Sequence, residues 1–208
     1  MSRYAKAFTL VELLVGLMVT SIILSAVATL AFALSSASTA GGDCALKQAQ
    51  IRHASLYLSD LIGKCKLICA APGADLVVWR ADDNDNGRIN VNELVYVERG
   101  ADRNMLRLCR FLSTNNPPQE LSQLTLATTK DQLQNLYSTK YTPLIPDCNN
   151  VQFTFLDADP PRTGLLAITF GLREDSAYRQ YEIVTAARSR ADYLLNAAGD
   201  ALVLTDDD

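Results

Sequence analysis

The chain has 208 residues, 49% hydrophobic and 20% charged, a composition that supports one sizeable folded core and excludes a disordered polymer. A formal net charge of −4, with no basic block, excludes binding to nucleic acid by phosphate neutralisation, which needs clustered Lys and Arg. The single histidine, His53, removes most metal-hydrolase and histidine-based acid/base designs.

From Phe8 to Leu34 the chain reads FTLVELLVGLMVTSIILSAVATLAFAL, with Glu12 as its one charge. As a helix rising about 1.5 Å per residue, this run spans about 40 Å, enough to cross a bilayer with some tilt. A removable secretory signal is the competing reading. Its apolar core runs about 7–15 residues, and the uncharged stretch from Leu13 to Leu34 exceeds that. Arg3 and Lys6 precede the span and no comparable basic cluster follows it closely. The positive-inside bias therefore leaves the short N-terminus cytoplasmic and sends the bulk of the chain outward, to the periplasm or beyond.

Glu12 is what a plain anchor does not explain, because a carboxylate in an apolar span costs about 2.5–3.5 kcal/mol if central and usually has a partner. Snorkelling toward the interface is the bland alternative. The string Lys6-Ala7-Phe8-Thr9-Leu10-Val11-Glu12-Leu13-Leu14 resembles the processing and assembly motif of type IV pilins and of the pseudopilins of type II secretion. The resemblance implies that a prepilin peptidase removes residues 1–7 as a leader by cutting between Ala7 and Phe8. It also implies that the new amine is methylated and that Glu12, the fifth residue after the cut, guides docking. The family usually has glycine before the cut, so Ala7 is a departure that a constricted peptidase pocket should tolerate with slower cleavage. Cleavage deletes Arg3 and Lys6 and leaves a free amine at Phe8, positioned to pair with a neighbouring subunit's Glu12. Gly16, Ser21, Ser25 and Ala28 would permit close packing of such helices.

After the span (residues 8–34), Ser35 to Asp43 form a small, polar stretch read as a hinge where the helix frays or ends, and residues 44–208 as the outward domain. From Cys44 to Cys69, Leu46, Ile51, Leu56, Leu58, Leu61 and Ile62 alternate with polar residues as in an amphipathic helix laid on a sheet, with His53 packed or solvent-facing. Strands are expected at 74–80, 94–98, 105–112, 121–128, 151–156, 165–172, 181–187 and 201–204, with loops at 113–119 and 141–150. The fold class is α+β: a long N-terminal membrane helix continuing into an amphipathic helix packed on an antiparallel sheet, the layout of the pilin family.

Asp82 to Glu93 fit the twelve-residue calcium loop of EF hands. Asp82, Asn84 and Asn86 supply side-chain oxygens, Gly87 the sharp turn and Arg88 a backbone carbonyl. Asn90 can bind directly or through water, and Glu93 can close the shell with both oxygens. The competing reading is an Asp/Asn/Gly-rich hairpin turn. The flanks are β-rich rather than helical, so a structural Ca2+ is expected rather than a helix-opening switch, with affinity of about 10⁻⁴–10⁻³ M.

Cys44, Cys65, Cys69, Cys109 and Cys148 face an oxidising compartment, where one or two disulfides are expected, pairing helix cysteines with Cys109 or Cys148. Cys65 and Cys69, four apart on a helix, would not join each other. A zinc site lacks a second motif and a suitable histidine. No serine sits in a glycine-flanked nucleophile turn. Asp157 with Asp159 and Glu174 with Asp175 read as solvated turn residues, and Asp206 to Asp208 as a solvated tail.

These observations point to a non-enzymatic subunit: a minor pseudopilin or minor pilin, with other subunits, a prepilin peptidase, an inner-membrane assembly platform and the membrane as partners, and no direct nucleic-acid contact. The chain's length favours an initiating or tip position. A surface-displayed binding module for substrate, DNA or another cell is the alternative, and a tethered enzyme would need a catalytic constellation the sequence does not offer.

Overall fold

The computed structural model describes residues 9–72, 75–100, 104–174, 177–188 and 191–203. Two compact units divide the chain, residues 1–47 and 48–208. In the first, helix α1 (Leu10–Lys64) begins just after Thr9 and carries an apolar stretch, Leu10–Ser36, long enough to cross a membrane. Its large side chains are exposed, from Leu10 at 76% to Phe32 at 77%. The hydroxyls in this stretch fold back on the helix: Thr20 donates to the Gly16 carbonyl at 2.9 Å, Ser21 to Met18 at 2.8 Å and Thr29 to Ala26 at 2.9 Å. These three hydroxyls are thus satisfied without water, as an apolar environment demands. The helix does not end at the expected hinge. Residues 35–43 contain no proline, and Gly41 and Gly42 cost only about 1 kcal/mol each relative to alanine, which does not terminate a helix.

In the second unit the same helix buries Ala54, Leu58, Leu61 and Ile62, the last three at spacings of four, seven and eight residues from the first, while Leu56 is exposed, as is Leu46 in the first unit. The expected face was therefore right at Leu58, Leu61 and Ile62 and wrong at Leu46 and Leu56. His53 is exposed beside Tyr57. The helix stops at Lys64, so Cys65 and Cys69 are not on it as expected; Cys69 lies in strand β1 (Leu67–Ala70).

Strand β2 (Leu76–Trp79) follows, then β3 (Ile89–Asn90), β4 (Leu94–Arg99), β5 (Met105–Leu112) and β6 (Pro118–Gln119). Two helices, α2 (Leu121–Leu124) and α3 (Ala127–Leu136), precede β7 (Ser138–Pro146), β8 (Cys148–Phe155), β9 (Leu165–Glu174) and β10 (Ala177–Ala186). Five strands form an antiparallel sheet in the order β1-β2-β4-β5-β7, three form β10-β9-β8, and β3 pairs with β6.

The five-stranded sheet is buried on both faces, and strand alternation divides its side chains between two cores. Leu76, Val78, Val95, Val97, Leu106 and Leu108 pack with Leu58 and Ile62 of α1 and with Leu166, Ile168 and Phe170 of β9. Val77, Trp79, Leu94, Tyr96, Cys109 and Phe111 pack on the other face with Leu121, Leu124 and Leu133 of α2 and α3. Each fully buried large apolar side chain contributes about 1.5–3 kcal/mol of transfer free energy. Lys130 of α3 pins the second layer, bridging Asp75 and Glu98 at 2.6 Å each, while Arg107 Nε donates to the fully buried Glu98 at 2.7 Å. Burial pulls the Lys130 ammonium down, but the two carboxylates outweigh it and hold the group above its ordinary value.

Several expected elements are corrected. Residues 121–128 hold no strand but two helices, α2 and the start of α3, joined by a turn at 125–126: Leu121 and Leu124, three apart, anchor α2 to the core while Leu126 is 57% exposed. Residues 141–150 are mostly strand: Pro143 and Pro146 suggested a loop, yet β7 is an edge strand, where a missing N–H is tolerated. Near 201–204 only an isolated bridge, Leu195 with Leu202, is found among the described residues. The 206–208 tail and Asp175 lie outside the described residues.

Candidate functional site

Two places carry the chemistry singled out in the sequence. At the start of α1, the backbone N–H and the hydroxyl of Thr9 both donate to Glu12 Oε2 at 3.0 Å, and the Glu12 N–H donates to Thr9 Oγ1 at 3.3 Å. This is a reciprocal capping box, with Thr9 as the N-cap and Glu12 three residues on, and it satisfies donors that a helix start otherwise leaves open. Glu12 is therefore neither bare nor simply snorkelling, since its own chain provides partners. Thr9 was missed as a functional residue, although Thr-x-x-Glu before an apolar run is its signature. Ala7 and Phe8, the expected cleavage pair, lie outside the described residues.

Residues 2–28 match the family described as a prokaryotic N-terminal methylation motif. Together with the apolar helix, that motif fits a type IV pilin-like protein. No curated protein and no solved structure matches the chain. The α+β architecture, a long N-terminal apolar helix followed by helix and antiparallel sheets, is pilin-like as well. A pilin-type motif suggests a structural subunit rather than an enzyme, and with the apolar helix it suggests membrane anchoring.

The second place is the turn between β2 and β3. Asp82 accepts from the N–H groups of Asn86 at 3.1 Å and Gly87 at 2.9 Å, Asn84 Oδ1 from Asn86 N–H at 3.4 Å, and Asn86 Oδ1 from Arg88 N–H at 2.8 Å. Gly87 has φ 67°, a left-handed conformation that glycine adopts without a Cβ penalty. The side chain of Asp82 is only 3% exposed, with Lys66 Nζ 3.6 Å away and lying over the Trp79 ring. Arg80 pairs with Asp83 beside it.

Glu93 closes this turn from beneath and is fully buried. Its Oε2 accepts from Trp79 Nε1 at 3.0 Å and Asn90 N–H at 3.1 Å; its Oε1 accepts from Asp83 N–H at 3.0 Å and, at 3.5 Å, from Asn90 Nδ2. Among the described residues no three His, Cys, Asp or Glu side chains converge as a metal cluster. At the motif's ligand positions the loop offers two carboxylates, Asp82 and Glu93, and the amides of Asn84, Asn86 and Asn90. Asn90 is fully buried and forms a reciprocal capping box with Glu93 at the start of the short 3-10 turn Val91–Glu93.

The expected disulfides are absent among the described cysteines: Cys65, Cys69, Cys109 and Cys148 are buried free thiols. Two strands, β2 and β4, separate Cys69 on β1 from Cys109 on β5. At about 4.8 Å per strand that separation is roughly 14 Å, twice what a disulfide spans. Cys65 and Cys148 each donate to a nearby carbonyl instead, of Ile62 at 3.0 Å and Ile145 at 3.5 Å. An oxidising compartment permits a bridge, but geometry decides it. Burial pushes the Cys65 thiol up to about 12 and Cys148 to about 11, so neither is a reactive nucleophile. The side chain of Cys44 lies outside the described residues.

Asp157 is a turn residue as expected, and it organises the β8–β9 connection by accepting from Thr163 Oγ1, Gly164 N–H, Leu165 N–H and Ala158 N–H at 2.7–3.1 Å. Desolvation pushes its carboxyl up, but these four donors prevail and hold it at about 2.

Proposed function

We propose that the chain is a minor pseudopilin or minor pilin, cut between Ala7 and Phe8, methylated at the new amine and assembled into a type II secretion pseudopilus or a type IV pilus. The observation that carries this reading is the methylation motif over residues 2–28, continuous with a membrane-length helix whose Glu12 is held in place by Thr9. The uncut subunit sits in the inner membrane as a single pass, its short N-terminus cytoplasmic and its α+β domain outside. Cleavage deletes Arg3 and Lys6 and frees the Phe8 amine.

Both Thr9 hydrogen bonds fall on Oε2 of Glu12, so an incoming ammonium from a neighbouring subunit can pair through the second oxygen without dismantling the cap. Assembly then follows processing, because only a processed neighbour carries that amine at the right depth. Partners are the other subunits, the prepilin peptidase and the assembly platform.

Deleting the gene and scoring exoprotein secretion, adhesion and DNA uptake side by side tests this reading. Loss of secreted protein or of filaments is expected, and complementation by the full chain should restore it. If filaments form and secretion proceeds while adhesion or DNA uptake alone fails, the chain is a displayed binding module instead.

A further inference from the structure

We propose that Arg110 and Lys140, on the seam between α1 and the edge strand β7, hold an Asp or Glu side chain of a neighbouring subunit. Elsewhere in this domain Arg107 reaches Glu98, Lys130 reaches Asp75 and Glu98, and Lys66 reaches Asp82. Arg110 is built differently. It lies half-buried on the sheet face that packs on α1, its guanidinium bonds to the Tyr57 hydroxyl, and its Nε is buried without a hydrogen-bond partner. Lys140 of β7 stands directly opposite it. Directly opposed residues of an antiparallel pair share a face, so two positive groups meet at one spot, which destabilises a sheet unless a counter-charge joins them.

The fold supplies no such charge. Val95, opposite Arg110 on β4, is apolar, and Asp60 of α1, three residues beyond Tyr57, is engaged by Lys64 at 2.7 Å. Among the described residues no carboxylate forms an ion pair with Arg110 or Lys140. An edge lysine alone would read as protection against strand addition. That does not account for Arg110, whose charge, partly removed from water, calls for an opposite one. The same seam favours a polypeptide as the carrier. His53, one turn before Tyr57, lines an open, mainly apolar groove with Pro143, Leu144 and Pro146 of β7. A free small anion would use the cations only, whereas an acidic residue flanked by apolar ones fills both. A heterologous contact of this kind repeats along a filament. The choice of a neighbouring subunit rests on the filament reading above; the carboxylate site does not.

Lys140 is exposed, so its replacement is compatible with folding, and Lys140→Glu supplies the missing acid from within the chain. The test is thermal unfolding of the full-length protein in detergent, with sodium glutarate replacing sodium chloride at constant ionic strength. Glutarate should raise the melting temperature of the parent saturably, by about 3 °C, and that of Lys140→Glu by less than about 1 °C. In the native host, Lys140→Glu should be recovered in filaments at about one-tenth of the parent level and Lys140→Arg at the parent level. No shift in the parent, equal shifts in parent and Lys140→Glu, or a shift with sodium phosphate and none with glutarate would each overturn the carboxylate site. Full recovery of Lys140→Glu in filaments that contain the parent would overturn the neighbouring subunit as the source while the filament role stands. Absence of the parent itself from filaments would overturn that role and the source together, and the glutarate shift is read without filaments.

Discussion

Glu12→Ala and Glu12→Gln subunits are expected to enter the membrane as the parent does, yet to be recovered in filaments at roughly one-hundredth of the parent level. That factor corresponds to about 3 kcal/mol, the scale of an intramembrane charge that loses its partner. The two variants differ in a useful way. Glutamine keeps an oxygen that can accept from Thr9, so it preserves the helix cap, worth about 0.5–2 kcal/mol, and removes only the charge. Alanine removes both. If a neighbour's amine pairs with Glu12, glutamine fails nearly as badly as alanine. If glutamine instead restores filaments, as judged by immunoblotting of sheared fractions, the carboxylate serves only to start the helix and the docking role is lost.

The second large effect is expected within the folded domain. Glu93→Ala leaves three donors without their acceptor, the indole of Trp79 and the N–H groups of Asp83 and Asn90, of which Trp79 and Asn90 are on fully buried residues. At about 1–3 kcal/mol per orphaned buried group, and allowing for partial relaxation, the variant should lose about 3–5 kcal/mol of stability. Asn84→Ala, on the exposed side of the same turn, should stay within about 0.5 kcal/mol. Urea unfolding of the full-length protein in detergent, followed through Trp79 emission, separates the two. A loss below about 1 kcal/mol for Glu93→Ala would mean that the carboxylate is not the hub of this turn.

The sequence disclosed the parts of this molecule whose signals are local. The apolar run and the motif around it were readable because a stretch long enough to span a membrane tolerates so few alternatives. Strands β4, β5 and β9 were readable from β-branched and aromatic runs such as Leu94-Val95-Tyr96-Val97. What escaped depended on position in the sheet. Pro143 and Pro146 mark a loop unless their strand lies at an edge, and only the strand order reveals that it does. Leu124 and Leu126 alternate like a strand, while the spacing that decides the matter is Leu121 to Leu124. The place of Glu93 in the motif says nothing about Trp79, fourteen residues earlier, donating to it across the hairpin. The cysteines were read by compartment, whereas the intervening strands keep Cys69 and Cys109 apart.

Of these results the capping box changes the functional picture most, because it gives Glu12 a defined conformation before any neighbour arrives. A carboxylate already oriented by Thr9 loses less conformational freedom on meeting an ammonium than a free rotor would.

The most direct measurement is the mass of the N-terminal peptide of the chain taken from assembled fibres of its native host. A peptide beginning at Phe8 with a methylated amine is the expected result. Finding Met1 to Ala7 still attached in assembled subunits would contradict the account.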